Sequence, residues 1–198
     1  MHSRAQKKYT VVIAFGNLGI GGVQTKIRDV STYLTKIPGN NIEIHILLRD
    51  VPKFNLEAAT RGDRIIIHHR PTLQSWHLHV PFSIYFFIKT LIIQPDVILT
   101  FYDTLSALSI CTSMMMFRNR PRVILNEDTF PSLHVPNPFK RLLIRLMYPY
   151  AHTVIVPTRA AKNDLVSHFH IPDKKIAVIP NWTLQVKKVP PHKRGAHL

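Results

Sequence analysis

The stretch YTVVIAFGNLGIGGVQTKIRDVSTYL (9–34) decides the fold of this chain. Its first seven residues are β-branched, aliphatic or aromatic, which predicts a buried β-strand. After the turn, apolar residues recur every three or four positions, which predicts an amphipathic helix. Three of the seven glycines of the chain, Gly19, Gly21 and Gly22, lie in the turn between these two elements.

The same alternation of strand and helix continues along the chain. Further strands are predicted at 42–48, 64–69, 95–101, 122–127, 152–158 and 175–181, and further helices at 76–93, 105–117, 138–148 and 159–168. The strands are nearly continuous runs of Val, Ile and Leu, which is typical of strands covered by helices on both faces. The sequence therefore predicts an α/β fold with a single Rossmann-like, doubly wound, mostly parallel sheet flanked by helices.

Composition divides the chain into three parts. Residues 1–8 form a basic N-terminal extension, residues 9–182 form the Rossmann-like domain, and residues 183–198 form a basic tail that contains two adjacent prolines. The tail has little apolar periodicity, so we expect it to be flexible.

The charge and cysteine content restrict the function. Lys plus Arg is 26 and Asp plus Glu is 11, a net charge of +15, which predicts attraction to an anionic partner. No RNA-recognition motif or zinc-finger spacing accompanies that charge, which argues against nucleic acid. A single cysteine, Cys111, excludes an internal disulfide, and the polar start resembles no signal peptide. We therefore expect a cytoplasmic protein.

The glycine turn lies where an open parallel sheet binds its ligands, beyond the carboxyl end of a strand. A helix N-terminus offers free N–H groups and a positive dipole end, which suit a phosphate. The spacing G-x-x-G-x-G-G (16–22) is neither the dinucleotide fingerprint nor a P-loop. Two interpretations remain open, a phosphate-binding turn and a purely conformational one.

Metal and cofactor chemistry find no support in the sequence. The twelve histidines include close pairs, but none has a Cys companion or a His-Glu-x-x-His context. The acidic run NED (126–128) is not an Asp-x-Asp motif. We expect neither a metal nor another cofactor.

Four segments, taken in order, resemble the retaining glycosyltransferases of family 4. They are GNLGIGGVQTKIRDVSTYL, QPDVILTFYD, RVILNEDTF and AHTVIVPTRAAKNDLVSHFHIPDKKIAVIPNW, and the resemblance covers about residues 9–182. It implies the GT-B architecture, in which two Rossmann-like domains face a cleft. It also implies transfer of a sugar from a nucleotide-sugar donor to a glycan or lipid-linked acceptor, with retention and without an essential metal.

In that family the amino-terminal domain mainly holds the acceptor, and the carboxy-terminal domain carries paired glutamates around the donor. Nothing after Asn181 matches that second domain. The resemblance therefore implies an acceptor-side half with little activity alone: a truncated product, a fragment, or one subunit whose second GT-B domain lies on another chain. The alternative is a non-catalytic module that binds membrane or acceptor and recruits a catalytic partner.

The resemblance also assigns ligand-facing roles to the first turn. Gly21 and Gly22 match the family's Gly-Gly pair near the donor phosphates. Gln24 is a candidate for lining the acceptor cleft, although a polar residue on a helix face needs no such role.

Further candidates follow the fourth and fifth predicted strands. Glu127 stands where many relatives place a His or an acidic residue facing the acceptor, and Asn126 and Asp128 flank it. A carboxylate there could orient or deprotonate an acceptor hydroxyl, or it could cap the following turn. Tyr102 and Asp103 could contact a sugar, but Asp103 also fits the N-cap of the next helix.

Two remaining expectations concern the sixth strand and the membrane. Thr158 is expected to cap the helix that follows it rather than touch a ligand. Relatives that act on lipid-linked acceptors often dock on anionic membrane through basic, apolar helices, and FKRLLIRLMYPY (139–150) is of that type. We expect its apolar stripe to face the sheet, while the overall charge favours peripheral contact with the inner face of a membrane.

Overall fold

The computed structural model describes residues 8–16, 22–38, 41–49, 64–69, 81–101 and 103–181. Within them the strands are β1 (Tyr9–Phe15), β2 (Ile42–Leu48), β3 (Ile65–His69), β4 (Val97–Phe101), β5 (Arg122–Asn126), β6 (Thr153–Val156) and β7 (Ile176–Val178). The α-helices are α1 (Gly22–Lys36), α2 (Phe82–Ile93), α3 (Asp103–Met115), α4 (Pro131–His134), α5 (Pro138–Met147) and α6 (Arg159–Phe169). Single 3-10 turns follow α5 at Tyr148–Tyr150 and precede β7 at Asp173–Lys175.

The strands form one sheet in the order β3-β2-β1-β4-β5-β6-β7, and every neighbouring pair is parallel. The predicted α/β class and parallel doubly wound sheet are confirmed. The strand order reverses between β1 and β4, which makes their carboxyl ends the topological switch point of the sheet.

Side chains of successive strand residues point to opposite faces, and both faces are buried. On β1, Val12 and Ala14 join a large apolar cluster with residues of α2, α3, α5 and α6. Ile13 and Phe15 join a second cluster, to which α1 contributes Ile27. Burial on both faces explains why the strands lack polar alternation.

Several predicted boundaries shift. Helix α3 begins at Asp103, two residues before its predicted start, and β7 ends at Val178 rather than at Asn181. The strand predicted from Pro95 begins at Val97, since Pro95 and Asp96 form the entry to β4. The short helix α4 was not predicted. The predicted tail, the extension before Lys8 and the start of the 76–93 helix lie outside the described residues.

The outer face of α5 differs from the expectation. Leu143 is half-buried and Ile144 fully buried against the sheet side, whereas Leu142 and Leu146 are each about half exposed. The expectation that the whole apolar stripe faces inward was therefore wrong for two of its leucines. Among the described residues, no helix is long and apolar enough to span a bilayer.

Candidate functional site

A cavity of about 300 Å³ opens at the switch-point edge of the sheet. Its lining comes from the first turn of α1, the ends of β4 and β5, and the segment that leads into α5. The lining residues are Val23, Phe101, Asn126, Glu127, Asp128, Thr129, His134, Val135 and Lys140. The cavity thus brings together the predicted NED run and the helix that follows the glycine turn.

Glu127 is buried in this wall, with 6% of its surface exposed. Its Oε1 accepts hydrogen bonds from the backbone N of Thr129 at 3.2 Å and from Thr129 Oγ1 at 2.7 Å. Its Oε2 accepts from the Tyr148 hydroxyl at 3.0 Å. Oε1 therefore stabilises the turn after β5, as the capping interpretation requires, and Oε2 connects this turn to the segment after α5.

Asp128 connects this turn to α1. Its Oδ1 forms an ion pair with Lys26 Nζ, and both side chains are largely buried. The partners are 102 residues apart in sequence, so only the tertiary fold brings them together. The pair holds the first turns of α1 beside the end of β5.

Asn126 is the last residue of β5, and its side-chain amide lies in the cavity wall. Its Nδ2 is buried and has no hydrogen-bond partner among the described residues. An unpaired buried amide costs roughly 1–3 kcal/mol, which makes Asn126 Nδ2 a candidate donor to a ligand oxygen.

The sequence interpretation missed one wall of the cavity, which is formed by His134 and Lys140. His134 ends α4, and Lys140 lies in the first turn of α5. Asn137 caps α5, because its Oδ1 accepts from the backbone N of Phe139 at 2.9 Å and of Lys140 at 3.3 Å. Asn137 followed by Pro138 is a typical start of a helix, and it could have indicated that Lys140 lies in the first turn of α5.

The glycine turn is described only at its end. Gly22 is the exposed first residue of α1, and a Cβ added to it would meet no atom within 4 Å. Gly21 lies outside the described residues. Gln24 is half-buried in the first turn of α1, but it does not line the cavity.

The remaining predicted residues are Tyr102, Asp103 and Thr158. Tyr102 lies outside the described residues, and Asp103 begins α3 with a side chain that is not described. Thr158 is the N-cap of α6, since its side chain accepts from the backbone N of Ala161 at 3.1 Å. The predicted capping role of Thr158 is confirmed.

Among the described residues, no group of three or more His, Cys, Asp or Glu side chains is arranged so that it could hold a metal ion. His45 and His68 instead stack across β2 and β3, with His45 Nδ1 2.9 Å from His68 Nε2. His45 Nε2 lies 2.7 Å from Glu43 Oε1. Burial, followed by the positive charge of neighbouring groups, lowers the pKa of His68 to about 4.

Known proteins resemble this chain in both sequence and fold. A 71-residue part is 37% identical to an N-acetylgalactosamine-N,N'-diacetylbacillosaminyl-diphospho-undecaprenol 4-alpha-N-acetylgalactosaminyltransferase of Campylobacter jejuni, covering 33% of this chain and 20% of that protein. The apo lipopolysaccharide outer core galactosyltransferase WaaB superposes with a TM-score of 0.63 at 15% identity, over 95% of this chain and 50% of WaaB.

Anabaena HepE in complex with UDP and glucose superposes with a TM-score of 0.66 at 14% identity, over 87% of this chain and 44% of HepE. The chain thus spans half or less of the length of these proteins. Likeness at such low identity shows the fold alone. The family model of Glycosyltransferase Family 4, by contrast, matches residues 20–183 in sequence. The chain therefore belongs to Glycosyltransferase Family 4.

Proposed function

We propose that this domain is the acceptor-binding half of a retaining glycosyltransferase. Its donor is a nucleotide-sugar and its acceptor a glycan linked through diphosphate to a lipid. Family membership supports the reaction class. The acceptor class is supported by the Campylobacter relative, whose name includes a diphospho-undecaprenol.

The observation that carries the proposal is the unpaired amide of Asn126 in the cavity wall. Asn126 donates to an acceptor oxygen, and Glu127 positions it by fixing the turn that follows. Lys140 supplies positive charge for an anionic part of the acceptor, and His134 is a further polar group in the same wall. Gly21 and Gly22 lie near the donor phosphates, where the open space beside Gly22 leaves room for a ligand.

The test uses diphosphate-linked polyprenyl N-acetylgalactosamine in detergent micelles, with the full 198-residue chain. We expect measurable binding, and Asn126→Asp should weaken it at least tenfold because a carboxylate cannot donate. The matched control is Asn163→Asp, which changes an exposed amide on α6 that does not line the cavity. Equal affinity of Asn126→Asp and the unsubstituted chain would contradict the assigned role.

The same mixtures test where the catalytic apparatus lies. We expect no sugar transfer from UDP-linked sugars by these residues alone, with or without added Mg²⁺, because donor contacts in GT-B enzymes come largely from the second domain. Mass spectrometry of the lipid product is the readout. Efficient turnover by this chain without a partner would refute the acceptor-half assignment.

A second candidate function, membrane or acceptor recruitment without catalysis, is favoured by the outward face of α5. Phe139, Leu142 and Leu146 are exposed there beside Arg141 and Arg145. This is the arrangement of a helix that lies in the interface of an anionic bilayer. We propose that α5 holds the protein at the inner face of a membrane.

Flotation with phosphatidylglycerol vesicles tests the role of α5. Leu142→Ser with Leu146→Ser should reduce the bound fraction severalfold, because each removes an apolar anchor. Tyr33→Ser with Ile179→Ser is the matched control, since both side chains are exposed and lie outside α5, Tyr33 on α1 and Ile179 just after β7. Identical flotation of the two double variants would argue against α5 as the anchor.

A further inference from the structure

A second cavity, of about 570 Å³, lies at the opposite edge of the sheet, where the strands begin. Its walls are the start of β1, the connection from α2 to β4, and the loop that enters β5. The lining residues are Tyr9, Gln94, Pro95, Asp96, Val97, Arg118, Asn119, Arg120 and Arg122. We infer that this cavity is a binding site for a phosphate-bearing ligand.

Backbone hydrogen bonds fix the walls of this cavity to one another. The backbone N of Asp96 donates to the carbonyl of Thr10 at 2.8 Å, and the backbone N of Arg122 donates to the carbonyl of Asp96 at 2.9 Å. The three entering segments are therefore parts of one sheet edge. The backbone of these walls is held in place before a ligand binds, which lowers the entropy lost on binding.

The charge of the cavity comes from Arg118, Arg120 and Arg122. All three side chains are exposed, and none forms an ion pair or a hydrogen bond through its guanidinium group with a described residue. Asp96 is the acidic residue of the lining, and its Oδ2 already accepts from the backbone N of Thr10 at 2.9 Å. Three guanidinium groups thus converge on the cavity while its carboxylate is already engaged by the backbone.

Two neutral amide side chains, of Gln94 and Asn119, also line the site. Gln94 ends α2 in the left-handed conformation, with φ 49° and ψ 59°, and its backbone N donates to the carbonyl of Thr90. Asn119 Nδ2 donates to Gln94 Oε1 at 3.1 Å, which links the α2–β4 connection to the arginine loop. A non-glycine residue in this conformation carries a small strain, and here it turns an amide side chain towards the loop.

Phosphate is the chemistry that this arrangement fits best. A guanidinium group presents paired N–H donors in a planar fork that matches two phosphate oxygens, and several such forks favour a diphosphate over an isolated carboxylate. The volume lies within the range of small-molecule sites. Met115 and Phe117 are exposed beside the loop, with Phe117 91% exposed, so a phosphate that carries an apolar chain would also find a surface for that chain.

The experiment titrates inorganic pyrophosphate into the full chain at constant ionic strength and measures binding by calorimetry. We expect the triple variant Arg118→Ala, Arg120→Ala, Arg122→Ala to lose at least tenfold in affinity. The charge-matched control, Lys36→Ala, Arg159→Ala, Lys174→Ala, removes three exposed cations elsewhere and should stay within twofold. A triple Arg→Lys variant keeps the charge but removes the forks, and it should fall between the two.

A second arm separates the two sources of phosphate. Both triple variants are made in a background that already carries Leu142→Ser and Leu146→Ser, and their binding to phosphatidylglycerol vesicles is measured. Weaker binding of the arginine variant alone identifies a lipid head group as the ligand. Binding of pyrophosphate without this vesicle effect identifies a free phosphorylated ligand. Either result supports the site.

Equal losses in the arginine and control variants would overturn the inference, because the effect would then be general charge. So would the absence of pyrophosphate binding, or arginine-dependent binding of a polyglutamate peptide alone, since that would mark an acidic protein partner. These results do not depend on sugar transfer or on Asn126, so this inference and the proposed function can fail separately.

Discussion

At the residue scale, Glu127 shows how a residue of a functional motif can be structural. It is buried, and three hydrogen bonds hold its carboxylate between Thr129 and Tyr148. A carboxylate in this position fixes the direction of the strand end, so the neighbouring amide of Asn126 meets the cavity at a defined angle. Its role in the proposed site is to position other groups.

We predict that Glu127→Ala lowers the free energy of unfolding by about 1–3 kcal/mol, because it removes the carboxylate that accepts hydrogen bonds from Thr129 and from the buried Tyr148 hydroxyl. Glu127→Gln keeps the shape and one acceptor oxygen, so its loss should be less than half as large. Urea denaturation followed by circular dichroism measures both.

Asp173→Ala provides the control for these variants. Its carboxylate pairs with Lys162 but is 71% exposed, and exposed pairs contribute little, so we expect a change within about 0.5 kcal/mol. A Glu127→Ala protein as stable as this control would show that the three bonds do not stabilise the turn.

The sequence predicted the part of the site that follows directly from a strand end. Glu127 and its neighbours come after an apolar run, and parallel strands place such residues at the ligand edge. His134 and Lys140 gave no comparable signal, because each reaches the cavity from a helix whose rotation and packing decide which side chain faces it. The pairing of Lys26 with Asp128 across 102 residues is of this kind.

At the scale of elements, β2 and β3 are joined by side chains as well as by their backbones. Because a carboxylate only accepts, His45 Nε2 donates to Glu43, and His45 Nδ1 lies 2.9 Å from His68 Nε2. Lys8 forms an ion pair with Glu43 at the start of this chain of contacts, and hydrogen bonding to Lys8 is the main cause that lowers the pKa of Glu43.

The charge of this strand pair makes stability depend on pH. The groups that face His68 are His45, His69 and, from α2, Lys89, and their positive charge reinforces the effect of burial. The pKa of His68 is about 4 in the fold and about 6.5 when unfolded, so the unfolded chain takes up a proton first as the pH falls. The contribution of His68 to the free energy of unfolding is fully present above pH 6.5 and is lost progressively as the pH falls towards 4.

We therefore predict that the midpoint of urea unfolding falls between pH 7.5 and pH 5, and that His68→Leu reduces this fall. His168→Gln, which changes an exposed histidine on α6, should leave the pH dependence unchanged. An identical pH dependence in His68→Leu and the unsubstituted chain would mean that His68 is not the responsible group.

Helices were predicted better in position than in orientation. Apolar periodicity located α5 to within one residue, and Asn137 and Pro138 account for its start. The same periodicity did not tell which leucines face outward, because Leu142, Leu143, Leu146 and Met147 cover too wide an arc for one buried stripe. The short helix α4, which precedes α5, packs against α6 through hydrogen bonds from Ser132 to Asp164. A contact between residues so far apart in the chain leaves no signal in the local sequence.

At the scale of the whole molecule, the sheet separates two apolar clusters that share its strands. Ile27 of α1 is fully buried in one cluster, and Leu165 of α6 is fully buried in the other. Since β1 contributes alternate residues to both, neither cluster can come apart without disturbing the other. The domain should therefore unfold as one unit.

We predict that Ile27→Ala and Leu165→Ala each lower the free energy of unfolding by about 2–5 kcal/mol. Circular dichroism and tyrosine fluorescence should report coincident transitions for each variant. Ile92→Ala, at a position 70% exposed, is the size-matched control and should change stability by less than about 1 kcal/mol. Separate transitions by the two probes would show that the faces unfold independently.

The position of β1 between β2 and β4 has a consequence for synthesis on the ribosome. The hydrogen bond from the backbone N of Thr10 to Asp96 joins residues 86 positions apart, so β4 is translated long after β1. At roughly 5–20 residues per second, the delay is about 4–17 s. During that time the nascent strand has an open edge rich in valine and isoleucine, which makes this interval the one in which a chaperone or a wrong partner strand can bind it.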